Sequence, residues 1–429
     1  MFANMLEQLD TEDLADVRWL VSDDAAADLT QAYSELCRGT SSLALLRRLR
    51  KQFSVERARL IVQQAELRKR ATAKFRLHDK MFFTPKGLEQ ATSENIAAYK
   101  ARRMAAAPEI ADLCCGIGGD LISLAQTAPT IGVDLDKQTS LIAEANLKVY
   151  NQHHACHATT VTSFDVTTQD FAEHLWVHID PDRRVRGKRT TKLDWFQPSP
   201  AYLQTIVSKH KHVAIKLAPA SNLHEYPELH DCEREFIGSS REVKQLVAWY
   251  GETKCSKRAV TATAIDSSGQ IIGQFSTDDA LAGDSPLSRS NRKITSSNEH
   301  RLRAGDNIYE LHPTLVLAQL SETFCKMYDL TTIDMHSSLC IGPCFTHGLA
   351  RGFRVVDQCS PDLKRIEAMA RFYQVGNLEM KFIGVDVRTQ QRMQRLKLDG
   401  AEKMVLFVAR TLHGLTAIFA QRTAPLELS

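Results

Sequence analysis

The chain of 429 residues has no run near the ~18 consecutive apolar residues that a membrane helix needs, so a helical span is excluded. Its opening residues, Met1-Phe-Ala-Asn-Met-Leu-Glu7, lack a basic segment followed by an apolar one, so no secretory leader is expected. Ten cysteines, at 37, 114, 115, 156, 232, 255, 325, 340, 344 and 359, show neither a disulfide framework nor zinc spacing. Reduced thiols in a cytosol fit that usage, and no metal is expected. Net charge is only +3, which leaves the whole-molecule field weak; affinity for nucleic acid must come from local patches. Two nucleotide signatures are missing too. No G-x-x-x-x-G-K-[ST] occurs, and Leu121 stands where a dinucleotide fingerprint would place its third glycine, so P-loop hydrolysis and NAD chemistry are disfavoured.

What is present is a globular composition, 43% hydrophobic, long enough for sizeable cores in two or three domains. Glu109–Leu113 reads as a short buried strand. Gly116, Gly118 and Gly119 then let the backbone turn tightly and approach a ligand, with Cys114 and Cys115 as small residues of the turn. Leu121, Ile122, Leu124 and Ala125 follow with helical spacing, and Ile131-Gly-Val-Asp134 is a second strand ending in a carboxylate that can grip a ribose diol. Asp112 beside the glycine turn repels phosphates and suits a ligand carrying an ammonium and a sulfonium. That ligand is expected to be S-adenosylmethionine. The alternation continues as helix 137–149, strands 159–163 and 175–180, helix 200–209 and strand 211–217, then a hairpin made of Val260–Ile265 and Gln270–Phe275. Strands alternating with helices predict a doubly wound parallel sheet.

These motifs resemble the class I methyltransferases, whose first motif is Asp/Glu-x-x-x-Gly-x-Gly and whose second strand ends in an acid. Met81–Ser93, Asp112–Asp120, Asp180-Pro-Asp-Arg-Arg184 and Lys216-Leu-Ala-Pro219 are similar, from about residue 40 to 422, to bacterial methyltransferase-like proteins with a C-terminal THUMP-like domain. The core also resembles RNA methyltransferases of the trimethylguanosine synthase type. The resemblance implies a cofactor site of Asp112, Cys114, Gly116, Gly118, Gly119, Asp134 and Leu135. It makes Asp165 the acid that bonds the adenine amino group, against the alternative of an exposed turn aspartate. It lays the helix begun by Thr84-Pro85, running to about Met104, over the cofactor, so that Phe83, Gln90 and Thr92 become wall residues; ordinary helix packing is the alternative for each. Asp180-Pro181 would orient the nucleophile for a direct displacement in which alignment matters more than a strong base. Gly376–Gly384 carries the THUMP-like signature, and THUMP domains bind RNA in other proteins.

One departure stands out. Asp182 and Arg183 replace the second proline and the aromatic ring of the Asp/Asn-Pro-Pro-aromatic loop, which weakens an exocyclic-amine assignment. Arg183, Arg184, Arg186, Lys188 and Arg189 instead form a basic loop at the pocket mouth suited to phosphate contacts, with Trp195 and Phe196 available for stacking or for the core. Lys216 either lines the site or snorkels to the surface.

Residues 1–36 carry nine acidic side chains against Arg18 alone, whereas Arg47–Arg76 carry eleven basic ones against Glu56 and Glu66. A basic helical arm is expected there, touching RNA or packing Leu45, Leu46, Leu49 and Phe53 on its neighbour. The organisation expected is a helical region 1–106, a Rossmann-like methyltransferase domain 107–277, a linker 278–306 and an α+β THUMP-like, ferredoxin-like domain 307–429. His153-His-Ala-Cys-His157 and Cys340/Cys344/His347 lack a full set of spaced ligands. The leading expectation is a cytoplasmic methyltransferase acting on RNA. The alternatives are a protein or small-molecule acceptor, or an RNA module that binds the cofactor without turnover; the sequence leaves the oligomeric state open.

Overall fold

The computed structural model describes residues 14–173, 175–185, 188, 189, 191–223, 226–255, 260–277, 302–393, 396 and 398–423. The chain forms two compact units: residues 1–233, 246–255 and 267–270 in one, and 234–245, 256–266 and 271–429 in the other.

The first unit opens with helix α1 (14–20), α2 (Asp23–Cys37), α3 (Ser42–Leu49) and α4 (Val55–Ala71). Ser41 and Ser54 cap α3 and α4 by accepting from Ala44 N and Arg57 N. Their apolar stripes, including Leu29, Leu45, Leu49 and Ile61, close on a core shared with Ile117, Ile142 and Tyr150. The basic arm is therefore two helices. Leu45 and Leu49 are buried, Leu46 and Phe53 pack against the same core, and several of its cations have partners within the chain. Arg68, lowered by burial to about 10, donates to the Lys80 and Met81 carbonyls; Arg57 pairs with Asp16 and Arg76 with Glu94.

The single helix expected from Thr84 to Met104 is two, α5 (Pro85–Gln90) and α6 (Glu94–Arg103). Thr84 does cap α5, accepting from Gly87 N at 2.8 Å. The break has a cause: Lys74 Nζ donates to the carbonyls of Leu88, Glu89 and Ala91 at 2.7, 3.1 and 2.8 Å, satisfying groups that a continuing helix would use itself.

The sheet of this unit contains β1 (Ile110–Leu113), β2 (Thr130–Asp134), β3 (Thr159–Ser163), β4 (Trp176–Ile179) and β7 (Val213–Leu217), joined in parallel in the order β3-β2-β1-β4-β7. Leu246–Tyr250 of β9 (Glu242–Tyr250) adds antiparallel to β7. Between them run α7 (Leu121–Ala125), α8 (Lys137–Asn151) and α9 (Pro200–Lys209), and a small ribbon of β5 (Arg184–Val185) and β6 (Lys188–Arg189). This is the doubly wound arrangement read from the alternation, and it sets the ligand crevice at the strand C-termini.

Leu121 explains itself here. A Cβ on Gly132 of β2 would lie 2.9 and 3.0 Å from the Leu121 methyls, so the missing glycine of the turn has its counterpart in the neighbouring strand.

In the second unit, Arg234–Ser239 of β8 (Glu233–Ser239) pairs in parallel with β10 (Val260–Ile265), which makes the expected hairpin with β11 (Ile271–Thr277). A separate sheet follows in the order β13-β14-β12-β15-β18-β17-β16: Thr331–Thr332, Leu339–Ile341, Asn307–Leu311, Ala350–Cys359, Gly414–Arg422, Glu402–Thr411 and Val375–Ile383. All its pairings are antiparallel except β16 on β17. The penultimate strand, β17, is buried on both faces, Val405, Phe407 and Ala409 in one core and Leu406 and Val408 in another. The module is α+β, as the sequence suggests, with a sheet of seven strands. Of the expected linker, residues 278–301 lie outside the described residues. No described helix is long and apolar enough to cross a membrane.

Gly132→Val is expected to destabilise the chain by about 1–3 kcal/mol through overpacking, and Leu121→Ala by about 2–5 kcal/mol through a cavity. The double variant should cost clearly less than the two together, because the valine fills the vacated space. Urea denaturation of the three variants checks this; strictly additive costs would show that the two side chains do not share one space.

Candidate active site

After β1 the backbone turns through the left-handed region, with φ of +60° at Cys114, +56° at Gly116 and +89° at Gly118. Cys114 holds that conformation at a strain of about 1–3 kcal/mol. The three glycines differ in what they permit. A Cβ at Gly116 would meet nothing within 4 Å, at Gly118 it would touch Ala143 at 3.7 Å, and at Gly119 it would press to 3.1–3.2 Å on Ala91 and Thr92. Gly116 therefore leaves open space at the crevice, Gly118 serves the left-handed turn, and Gly119 is a packing glycine.

Asp134 closes the turn. Its Oδ2 accepts from Gly116 N at 2.9 Å and its Oδ1 from Asp136 N at 3.0 Å, and each oxygen keeps a lone pair for a diol. Burial raises this carboxyl. The adjoining Leu135 is 69% exposed, an apolar surface following the acid. Asp165, at the end of β3, is exposed and accepts from Thr167 N and Oγ1 at 2.9 and 2.7 Å; these bonds hold its carboxyl below the ordinary range. Phe164 stacks on Phe171 instead of standing alone.

The wall residues divide. Phe83 belongs to the core under the N-terminal helices, its N–H and carbonyl both bonded to Gln64, so it is a packing residue and not a surface of the crevice. Gln90 Nε2 donates to Asp182 Oδ1 at 2.9 Å, beside Lys86 Nζ, which lies 2.8 Å from Oδ2. Thr92 is buried and donates to Asp120 Oδ2 at 2.6 Å.

Beneath the turn runs a chain of buried charges that hydrophobic pattern does not announce. Asp112 of β1 and His178 of β4 are opposite in register, so both side chains project from one sheet face, where α6 places Lys100. Lys100 Nζ lies 2.9 Å from His178 Nε2 and 2.7 Å from Asp120 Oδ1, and His178 Nδ1 lies 2.7 Å from Asp112 Oδ1. An ammonium can only donate, so Nε2 accepts and Nδ1–H faces Asp112. Lys216 Nζ continues the chain, 3.9 Å from Asp120 Oδ2 and 2.5 Å from Asp180 Oδ2. It lines the site; its side chain is 6% exposed, so it does not snorkel.

Three carboxylates, of Asp112, Asp120 and Asp180, face two ammonium groups. Burial works to raise Asp120, but Lys100, His178 and Lys216 overcome it and hold this carboxyl low. Asp112 has no such neighbour at contact: burial raises its carboxyl, and Oδ2 is buried with no partner among the described residues. Burial, then Asp134, Asp180, Asp112 and Asp182, push the Cys114 thiol well above its usual range, so the cysteine is protonated and the acids around it mark a negative crevice.

Asp180 ends β4 with its N–H on Leu113 O; Pro181 is buried, and Asp182 pairs its backbone with Gln197. Arg183 is half-buried. Arg184, Lys188 and Arg189 lie on the β5–β6 ribbon, and Arg186 falls outside the described residues. Trp195 is 52% exposed while Phe196 is in the core, so one ring of the pair remains for stacking. No group of acids, histidines and cysteines able to hold a metal is found among the described residues.

Removing one partner of a buried pair leaves an uncompensated charge, so Lys100→Met should destabilise the chain by about 3–5 kcal/mol. Adding Asp120→Asn should recover a large part of that loss. Chemical denaturation decides, and a loss under about 1 kcal/mol would mean that the pair is solvated.

Residues 107–213 match the RNA cap guanine-N2 methyltransferase family, and residues 13–71 match a domain of unknown function. An uncharacterized S-adenosylmethionine-dependent methyltransferase of Mycobacterium tuberculosis, from strain H37Rv and identically from strain CDC 1551, is 26% identical over 366 residues, covering 83% of this chain and 93% of the relative. The crystal structure of a methyltransferase candidate from Porphyromonas gingivalis W83 superposes with a TM-score of 0.68 at 17% identity, over 94% of this chain and 99% of that one. The family match and the relative support an S-adenosylmethionine-dependent methyltransferase, and the superposition shows the shared fold, a doubly wound sheet with an acid-flanked glycine turn.

Proposed function

We propose that the chain transfers a methyl group from S-adenosylmethionine to RNA, in the cytoplasm. The observation that carries the donor lies at the turn: Asp112 Oδ2 is buried without a partner among the described residues, and there is open space at Gly116. A net anionic dinucleotide is repelled by such a site, whereas an ammonium and a sulfonium complement it. Gly116 gives the close approach on a bend that Gly118 and Gly119 shape, Asp112 and Cys114 line it, Asp134 takes the ribose hydroxyls, and Leu135 flanks the adenine with Asp165 near its amino group. When bound, the donor supplies a methyl on a sulfonium, displaced in line with the sulfur keeping the electron pair of the broken bond.

Asp180, one oxygen bonded to Lys216 and the side chain 25% exposed, accepts a hydrogen bond from the attacking atom and takes the proton it sheds, passing it to water. Pro181 stiffens that loop. Support for RNA comes from the cap guanine-N2 family match, from the Arg183, Arg184, Arg186, Lys188 and Arg189 loop as a phosphate contact, and from the exposed Trp195 as a stacking platform. The C-terminal module, with its THUMP-like signature at Gly376–Gly384, is assigned to holding the RNA. A protein or small-molecule acceptor is the second reading. It is favoured by one feature, the replacement of the stacking aromatic by Asp182 and Arg183, with Asp182 tied to Lys86 and Gln90.

Calorimetry should find that the purified chain binds S-adenosylmethionine, and that Asp134→Ala weakens binding by about 10-fold or more. Tritium from labelled donor should enter total RNA from cells lacking the gene, and Asp180→Ala should abolish most of it. An absence of donor binding defeats the reading outright, and label confined to protein or small molecules transfers the assignment to the second one.

A further inference from the structure

The register of β4 and β7 puts Asp180 and Lys216 opposite each other just past Ile179 and Ile215, at the crevice end of adjacent strands. Asp180 is 25% exposed, and its Oδ2 meets the Lys216 ammonium at 2.5 Å. Its Oδ1 has no protein partner among the described residues. Lys216 itself is 6% exposed and cannot wander, because its ammonium lies 3.9 Å from Asp120, which Lys100 and Thr92 hold at 2.7 and 2.6 Å. Asp180 thus presents one oxygen bound to a fixed, buried cation and one that remains for a ligand.

We propose that Lys216 is the positioning residue of the acceptor side: it pins Asp180 Oδ2, so that Oδ1 is aimed at the atom to be methylated. This rests on the assignment of Asp180 made above, and it adds a residue whose effect is on alignment and not on donor binding. Displacing an aligning carboxylate by about 1 Å is enough to slow a displacement about 100-fold. The geometry also explains why a lysine serves at the end of an otherwise apolar strand. Its four-carbon stem lies along buried surface while the head reaches across to the neighbouring strand.

The test separates this from the substrate reading. Labelled donor is given to wild-type chain with RNA, protein and small-molecule fractions of cells lacking the gene. The fraction that takes label decides the acceptor class; the ratio of variant to wild-type rate in that same fraction decides the role of Lys216. Lys216→Ala should lower the saturated rate about 100-fold, with donor affinity by calorimetry within about twofold of wild type. Added ethylammonium should recover at least about 10-fold of the rate by restoring the cation to the vacated space. Lys216→Met, which fills that space without charge, should be as slow and should not respond to the amine.

A wild-type rate in either variant overturns the proposal, as does a donor affinity that falls in step with the rate, or an alanine variant indifferent to the amine. If the alanine variant does not fold, Lys216→Met decides alone: slow transfer with intact donor affinity supports the positioning role, and wild-type transfer removes it.

Discussion

A lysine ammonium at 1% exposure survives in a protein interior only where fixed anions stand beside it, and Lys100 sets that condition for everything around the glycine turn. Its partner, Asp120, is the first residue after the turn, at the N-terminus of α7, and its other neighbour, His178, lies in the middle of β4. The pairing fixes α6 against the sheet, fixes the turn against α6, and carries on through Lys216 to Asp180. Apolar side chains of equal volume would fill the same space at least as stably. What the ions supply is placement, with Asp112, Asp120 and Asp180 held in one connected frame.

That frame makes the N-terminal helices part of the site. Ile117 in the turn belongs to the core of α2, α3 and α4, and a Cβ on Gly87 of α5 would come within 2.5 Å of the Ile117 methyl. Gly119 admits the backbone of Thr92 on the other side. The break between α5 and α6 follows from these contacts. A straight helix would carry residues 91–93 away from Gly119, and the Lys74 ammonium stabilises the carbonyls that the break exposes.

Local pattern made the architecture legible. The alternation of strand and helix, the acid-flanked glycines and the apolar strand before Asp134 are all short-range signals, and each element lies within a few residues of its expected place. The turn chemistry was equally readable, down to Cys114 as a small residue in a strained bend. Side-chain partnership was not. Whether Phe83 faces a ligand or a core depends on Gln64, and whether Gln90 meets a cofactor or Asp182 depends on a loop some ninety residues away. Two signals for the buried chain were present all the same: Lys100 falls on the apolar stripe of α6 four residues after Ile96, and His178 interrupts an otherwise apolar strand. A charged residue on a buried stripe demands a partner, but the sequence does not name it.

The acceptor loop raises the last question, what replaces the stacking ring. Asp182 occupies the place of the second proline and ties the loop to α5 through Lys86 and Gln90. Lys86 is 60% exposed and Asp182 36%, a setting in which an ion pair contributes about 0–1 kcal/mol. The contact that orders the loop from this side is therefore weak, whereas Asp180, two residues earlier, is held by a buried lysine. The side chain of Asp180 is thus held by a buried ion pair and that of Asp182 by an exposed one, while the Asp182 backbone is fixed by its bonds to Gln197. On the proposed reading, an arriving phosphate would compete with Asp182 for Lys86 at little cost and leave the Asp180–Lys216 pair undisturbed, so a polyanionic acceptor could enter without disturbing the carboxylate proposed to align it.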